Sequence, residues 1–317
     1  MANTKELKKR LKSIKGIEKI TQAMKMVATA RVKKFQSLAQ DSAPYTEHLL
    51  NFISDLSVDD NSDVAPLFEK KENVTKVLYI VIGADSGMCG SFNQNVMNKA
   101  MERIGKRLEA GHNVSVICVG KKCRQYFERV AEKNHNLKIV MSITDYGANV
   151  YQDRIYEIAG KAKDMFLSGE TEGVRIIYAK YKNDMSQIHT AVNFLPIDKS
   201  NSFASEKTDK KDYSKQIFSE NTANMMKSSG GGSSDIIYEP GEAAVLSALM
   251  PKYLNNVIYH TVLETMASEF GAKMTAMTAA NQNAQDVIAE LSREFNKIRQ
   301  TSITNQLIDI VNGGNAQ

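Results

Sequence analysis

The last stretch of the chain, from Pro251 to about Asn312, limits the possible folds more than any other. It contains no further proline, and its apolar side chains fall on one stripe: Leu263, Met266, Phe270, Met274, Met277, Ala280, Ala284, Val287, Leu291, Phe295 and Ile298. Spacings that alternate three and four mark a helix with one buried seam. At ~1.5 Å per residue such a helix would be roughly 90 Å long, more than a compact domain can cover. It therefore has to pack on another long helix or inside a partner.

A matching helix is predicted at the opposite end. Leu7, Leu11, Ile14, Ile17, Thr21, Met24, Ala28, Val32, Phe35, Leu38, Tyr45, Leu49, Phe52 and Leu56 keep the same rhythm, and Asn3 with Glu6 resembles a capping box. Two such helices from opposite ends of a chain predict a long antiparallel coiled coil with the middle of the chain attached to its side. A helical bundle is the plainer alternative, and it is disfavoured because neither helix is followed by another of matching length.

The net charge of +5 is unevenly placed. Residues 1–40 hold eleven Lys or Arg against Glu6 and Glu18, a balance of +9 that leaves −4 for the rest. Lys5, Lys8, Lys12, Lys15 and Lys19 recur opposite the Leu7, Leu11 and Ile14 seam, so the helix has one greasy and one positive side. A solvated face and docking on an acidic protein surface both fit. Nucleic acid is not expected, because no aromatic interleaving or known module accompanies the lysines. No apolar run approaches the roughly 20 residues needed to cross a bilayer, and nothing reads as a signal peptide. The three cysteines, Cys89, Cys118 and Cys123, form no even framework and no metal pattern, which points to free thiols in a reducing compartment.

Between the two helices the pattern alternates. The first helix, residues 1–57, carries Pro44 and is expected to bend there. An α/β domain over 74–197 follows: strands at Val74–Ile82, Val114–Val119, Leu137–Ser142 and Val174–Tyr181, with helices at Asn93–Glu109, Lys121–Lys133 and Val150–Leu167 between them. The unbroken run Val77–Ile82 reads as a strand buried on both faces, hence a mainly parallel sheet in a small three-layer α/β domain. Gln187–Leu195 alternates and is expected to add an antiparallel edge. Residues 198–234 turn to Ser, Lys, Asp and Asn and end in a Gly/Ser run, the composition of a flexible insertion. A return strand at Asp235–Tyr238 and a short helix at Glu242–Leu249 fill 235–250, and Pro251 is expected to open the last helix, 251–317.

Chemistry is sparse. The turn Gly83-Ala84-Asp85-Ser86-Gly87-Met88-Cys89-Gly90-Ser91-Phe92-Asn93 follows a strand and precedes a helix, where α/β folds often hold phosphates. Its glycine spacing matches neither the dinucleotide fingerprint nor the P-loop, and a tight turn of small residues is the better reading. The histidines are dispersed, and no nucleophile elbow, carboxylate pair or zinc-ligand helix is present. No catalytic, cofactor-binding or metal-ligating residue is expected, and no cofactor.

Four segments together resemble the gamma subunit of F-type ATP synthase: Ile20-Thr21-Gln22-Ala23-Met24-Lys25-Met26-Val27-Ala28-Thr29-Ala30-Arg31, the loop Gly87–Asn93, Lys273-Met274-Thr275-Ala276-Met277 with Asn283-Ala284, and Arg299-Gln300-Thr301-Ser302-Ile303-Thr304 through Gly313-Gly314. The match covers nearly the whole chain in the right order. It implies a non-catalytic central-stalk rotor, its coiled coil inside a ring of three alpha and three beta subunits and its α/β domain below, with the epsilon subunit, on the membrane-embedded c-ring. Membrane association would be indirect, at the cytoplasmic face of the bacterial plasma membrane. The resemblance implies that Arg299, Gln300 and Thr304 hydrogen-bond to a beta-subunit loop, that Met24 and Lys25 face an acidic beta segment, and that Arg31, Cys89 and Asp309 also meet partners. Gln306 stands where the family usually has glutamate, and Ser86 where a basic residue is common. The 198–234 insertion lacks the cysteine pair of chloroplast relatives, so no thiol regulation is expected.

Overall fold

The computed structural model describes residues 2–56, 63–71, 73–146, 152–197, 238–239 and 241–315. Helix α1 spans Ala2–Asp55 and α5 spans Glu242–Asn315. Between them lie β1 (Lys76–Ile82), α2 (Phe92–Glu109), β2 (Asn113–Val119), α3 (Lys121–Ala131), β3 (Leu137–Ile143), α4 (Gln152–Leu167), β4 (Gly173–Asn183) and β5 (Ser186–Leu195). The sheet order is β3-β2-β1-β4-β5, with the first four strands parallel and β5 antiparallel to β4. This is the alternating strand-helix architecture expected from the sequence, with strand ends within two residues of the predicted ones.

Three layers enclose two cores. On one face of the sheet, Val77, Tyr79, Val81, Val116 and Cys118 pack against Phe92, Val96, Ala100 and Ile104 of α2 and Cys123 and Phe127 of α3. On the other, Leu78, Ile80, Ile82, Ile117 and Ile176 meet Ile155, Ile158 and Ala162 of α4 together with both long helices. The shaft is therefore part of the domain's core, because the apolar face of the sheet has α4 and the helix pair as its cover.

Two expectations about the long helices need correction. Glu242–Leu249 is not a separate helix: α5 is continuous from Glu242, with Pro251 inside it. Pro251 and Ser247, whose carbonyl loses its helical donor to the proline, both lie on the exposed side where water can serve, while Leu246, Met250, Tyr253 and Leu254 anchor the opposite side. Asn3 lies within α1 and does not cap it, since the helix is formed from Ala2. Of the expected return strand, Asp235–Ile237 lie outside the described residues, and Tyr238 is not in a strand. The 198–234 insertion also lies outside them.

The seam follows a stricter repeat than the predicted one. In α1 and at Leu56 just past it the covered positions are Leu7, Leu11, Ile14, Glu18, Thr21, Lys25, Ala28, Val32, Phe35, Ala39, Ser42, Thr46, Leu49, Ile53 and Leu56, steps of four and three without a break. Ile17, Tyr45 and Phe52, expected in the seam, are 46%, 49% and 44% exposed. In α5 Ile288, not Val287, continues the series through Ala284, Leu291, Phe295 and Ile298. A repeat of 3.5 residues is the coiled-coil period.

Candidate functional site

The register of the shaft is fixed by polar contacts across the seam. Asn256 donates to Thr46 Oγ1 at 2.5 Å, Ser42 Oγ meets His260 Nδ1 at 2.9 Å, and Asn281 donates to Thr21 Oγ1 at 3.3 Å and to the Glu18 carbonyl at 3.0 Å. In the three side-chain pairs the two residue numbers total 302 each time (46 with 256, 42 with 260, 21 with 281), so the helices run antiparallel without slippage between these layers. By that count the α5 residues beyond about 300 have no α1 residue opposite them, and Ile303, Leu307 and Ile308 are 49%, 58% and 50% exposed. The end of the shaft is a single helix with an apolar surface.

Arg299, Gln300 and Thr304 lie on this free part, all exposed, with the Thr304 hydroxyl bonded back to the Gln300 carbonyl at 3.0 Å. Asp309 is in the same helix. Met24, Lys25 and Arg31 lie about 40 Å away along the axis at ~1.5 Å per residue, pairing with the region near Met277 to Phe270. The structure thus forms two separate sets and does not bring the first group to the second. Ala23, Met24, Val27, Ala28 and Arg31 of α1 with Phe270 and Lys273 of α5 line an open groove of about 300 Å³. Two cations flank the Phe270 ring, Arg31 at 5.1 Å and Lys273 at 4.8 Å from its centroid. Ile20, Met26 and Val27 leave an exposed apolar surface beside them.

Cys89 is placed differently. Its side chain is 2% exposed and is enclosed by its own fold, with Asn93 Nδ2 at 3.3 Å from the sulfur. Burial, and then the neighbouring Glu269, push its thiol above the ordinary range. Any meeting of this position with a partner would have to pass through the turn that carries it.

The turn itself is folded onto the shaft. Lys273 Nζ donates to Ser86 Oγ at 2.7 Å and to Glu269 Oε1 at 3.0 Å, and Ser86 Oγ also lies 3.4 Å from that carboxylate. Burial raises the Glu269 carboxyl pKa against the opposing pull of Lys273. Behind it, Asp85 Oδ1 accepts from the Lys121 and Asp145 amides at 3.0 and 3.1 Å, tying together the ends of β1, β2 and β3. Gly120 is required there: at φ +101° it lies so close to Gly83 that a Cβ would sit 2.3 Å from the Gly83 carbonyl oxygen. At the carboxyl end of β1, where an α/β fold would take a phosphate, the turn is held against the chain's own helix. Sequence reasoning did not single out Glu269 or Glu264. The available signal was a set of polar side chains at 264, 268, 269, 273 and 275 inside an otherwise apolar helix.

The family model described as ATP synthase matches residues 3–316. The ATP synthase gamma chain of Lawsonia intracellularis is 35% identical over 316 residues, covering 100% of this chain and 99% of the relative. That of Heliobacterium modesticaldum is 32% identical over 316 residues with the same coverage. The chain belongs to the ATP synthase gamma chain family. Solved structures share the fold: a chain of the Euglena gracilis mitochondrial ATP synthase, OSCP/F1/c-ring in rotational state 3, has a TM-score of 0.62 at 17% identity, covering 99% of this chain and 94% of that one. The rotor of the same enzyme in rotational state 1 gives a TM-score of 0.58 at 18% identity, covering 95% and 99%. A gamma chain has a central-stalk role in ATP synthase. Among the described residues no helix is long and apolar enough to cross a membrane.

Proposed function

We propose that this gamma chain is a non-catalytic rotor that transmits torque between a proton-driven c-ring and a catalytic ring of three alpha and three beta subunits. The unbroken seam of α1 and α5, held in one register from Thr46 to Thr21, carries the reading. A shaft has to resist twist over tens of ångströms, and two helices interlocked along a 3.5-residue repeat do so where one helix would not. It also has to present different faces to three identical sites. One asymmetric chain achieves this, since the basic side of α1, the apolar Ile20 and Val27 surface and the free end of α5 point in different directions or lie at different heights.

In this reading the free end of α5 turns inside an apolar sleeve while Arg299, Gln300 and Thr304 make catch contacts with a beta subunit. Met24 and Lys25 meet an acidic beta segment, and Arg31, Asp309 and the turn around Cys89 also meet partners. The α/β foot stands with the epsilon subunit on the c-ring at the cytoplasmic face of the membrane. No nucleic acid is bound. The absence of a catalytic role for the strand-end turn is supported by its contacts with Glu269 and Lys273.

Purification of the native assembly tests the reading: one copy of this chain per three alpha and three beta subunits is expected, and a chain recovered without them removes it. Arg299→Ala and Gln300→Ala, at exposed positions, are expected to lower coupled ATP synthesis with the melting temperature unchanged. Wild-type synthesis in both variants would remove the catch assignment while leaving the rotor.

A further inference from the structure

Strand β1 pairs with β4 only as far as Val81 opposite Ile177, yet β4 runs on to Asn183. Beyond that point no strand among the described residues lies on the β1 side of β4, and its main-chain groups there, the buried Ala179 carbonyl and the half-buried Tyr181 amide among them, need partners from elsewhere. Helix α5 supplies them. Ser268 Oγ donates to the Ala179 carbonyl at 3.0 Å, and Glu264 Oε2 accepts from the Tyr181 amide at 2.7 Å. Further along, Thr275 Oγ1 donates to the Asp184 carbonyl at 2.8 Å. Gly271 lies between these contacts, where a Cβ would come within 3.4 Å of the Tyr181 ring and 3.8 Å of the Asp184 backbone.

Positions 264, 268, 271 and 275 step by four, three and four, so they form one stripe along α5. It lies one residue round from the stripe of Leu263, Ala267, Phe270 and Met274, which the register places against α1. One helix thus presents adjacent faces to the shaft and to the sheet, and the sheet is gripped through its main chain. Ser86, held by Lys273 and Glu269, is a second grip on the foot at a different strand end. Two attachments away from the axis resist rotation of the foot about α5 in a way that a single apolar contact does not, because hydrogen bonds are directional and side-chain packing alone is not.

We propose that Glu264, Ser268 and Thr275, together with the Lys273–Ser86 bond, are the coupling through which torque passes between the α/β foot and the shaft. The proposal rests on the rotor reading. Glu264 is a positioning residue: it holds β4 in place of the absent strand. Its neighbours are His260 Nε2 at 3.9 Å from the other carboxylate oxygen, and Lys180.

The test uses the full chain and the assembled enzyme side by side. In the full chain, Glu264→Ala is expected to speed hydrogen exchange at the Tyr181 amide about tenfold or more, with the amides of β1 and β2 unchanged. Glu264→Gln, which keeps an oxygen able to accept from that amide, is expected to restore slow exchange. In the assembled complex, the combination of Glu264→Ala and Ser268→Ala is expected to lower protons pumped per ATP hydrolysed roughly twofold, with hydrolysis itself at or above the wild-type rate. Should the double variant fail to fold, Ser268→Ala and Thr275→Val alone, each removing one hydroxyl, are to show the same fall in the ratio to a smaller extent. An unchanged ratio despite faster exchange at Tyr181 overturns the proposal and leaves these bonds as sheet-edge repairs. A parallel fall of hydrolysis and pumping also overturns it, since that is the mark of poor assembly. A wild-type chain that does not join alpha and beta subunits defeats the rotor reading first, and this proposal with it.

Discussion

The lower and upper halves of α5 are built on different principles. From Tyr253 to Lys273 the helix is covered on nearly every side, by α1, by the sheet and by α4, so that Leu254, Val257, Ile258, Val262, Leu263 and Met266 are all within 1% of full burial. Beyond Met277 α1 alone covers it among the described residues, and Ala284 and Leu291 are buried while the residues between them face solvent or the edge of the seam. The lower half is a core element that happens to be helical. The upper half is a true coiled coil, whose stability comes from one stripe and whose alignment comes from polar layers. A single continuous helix can be a piece of a globular domain at one end and a free shaft at the other.

The sharpest way to break this comparison is to delete volume in each half. Phe270 stacks on Phe35 with centroids 5.6 Å apart, and Phe270→Ala is expected to cost about 3–5 kcal/mol in denaturant unfolding. Leu291→Ala is expected to cost only about 2 kcal/mol, because solvent can enter the gap at the edge of a two-helix seam. Equal losses would mean that the halves are not different in kind.

A second distinction concerns acid. His260 lies in the lower half between Ser42 and Glu264, with Lys180 near, and burial, then Lys180, push its pKa down to about 4. The unfolded imidazole takes a proton near pH 6.5, so between pH 6.5 and about 4 the unfolded state binds more protons and stability falls as pH falls, by up to about 3 kcal/mol. The buried carboxyls of Glu264 and Glu269 act in the opposite direction: burial raises both, so acid relieves the cost of keeping them ionised. His260→Gln is therefore expected to abolish the acid-sensitive limb and leave the reverse slope, measured as the denaturation midpoint across that pH range. An unaltered acid limb would place it elsewhere in the molecule.

The smallest effect is expected from the polar layer of the upper half. Asn281→Leu is expected to change stability by about 1 kcal/mol or less, in the stabilising direction, while loosening alignment. Spin labels at exposed positions near residues 19 and 283 would then report a broadened distance. A distribution as narrow as that of the wild type would show that Ser42–His260 and Thr46–Asn256 suffice to align the shaft.

The sequence made the strand-helix alternation, the layer count and the pairing of the terminal helices legible, because each rests on long runs of apolar periodicity. The seam was legible only in outline. A helix read at 3.6 residues per turn drifts by about 20° per heptad against a 3.5-residue seam, which is why Ile17, Tyr45 and Phe52 were expected inside. The positions they lost to include Glu18 and Thr46, polar residues that hydrophobic pattern passes over although an aliphatic stem or a short hydroxyl fits a two-helix interface. The same blindness hid Glu264 and Ser268, whose importance lies in backbone groups of β4 that no pattern in α5 could announce. Pro251 was read as a start signal, since burial of Leu246 and Met250 before it is a tertiary effect that overrides local propensity.

Because the shaft joins residues 2–55 to residues 242–315, its seam cannot close while the chain is still emerging from the ribosome. The first helix, with Val32, Phe35, Leu50 and Ile53 uncovered, has to wait until the final helix has been made, by which time the strands between them can already pair. The price of an axle built from both ends of one polypeptide is a long interval in which its first strand is sticky and alone. The dense lysines of that helix, spread along its outer side, would keep such waiting chains from one another by mutual repulsion.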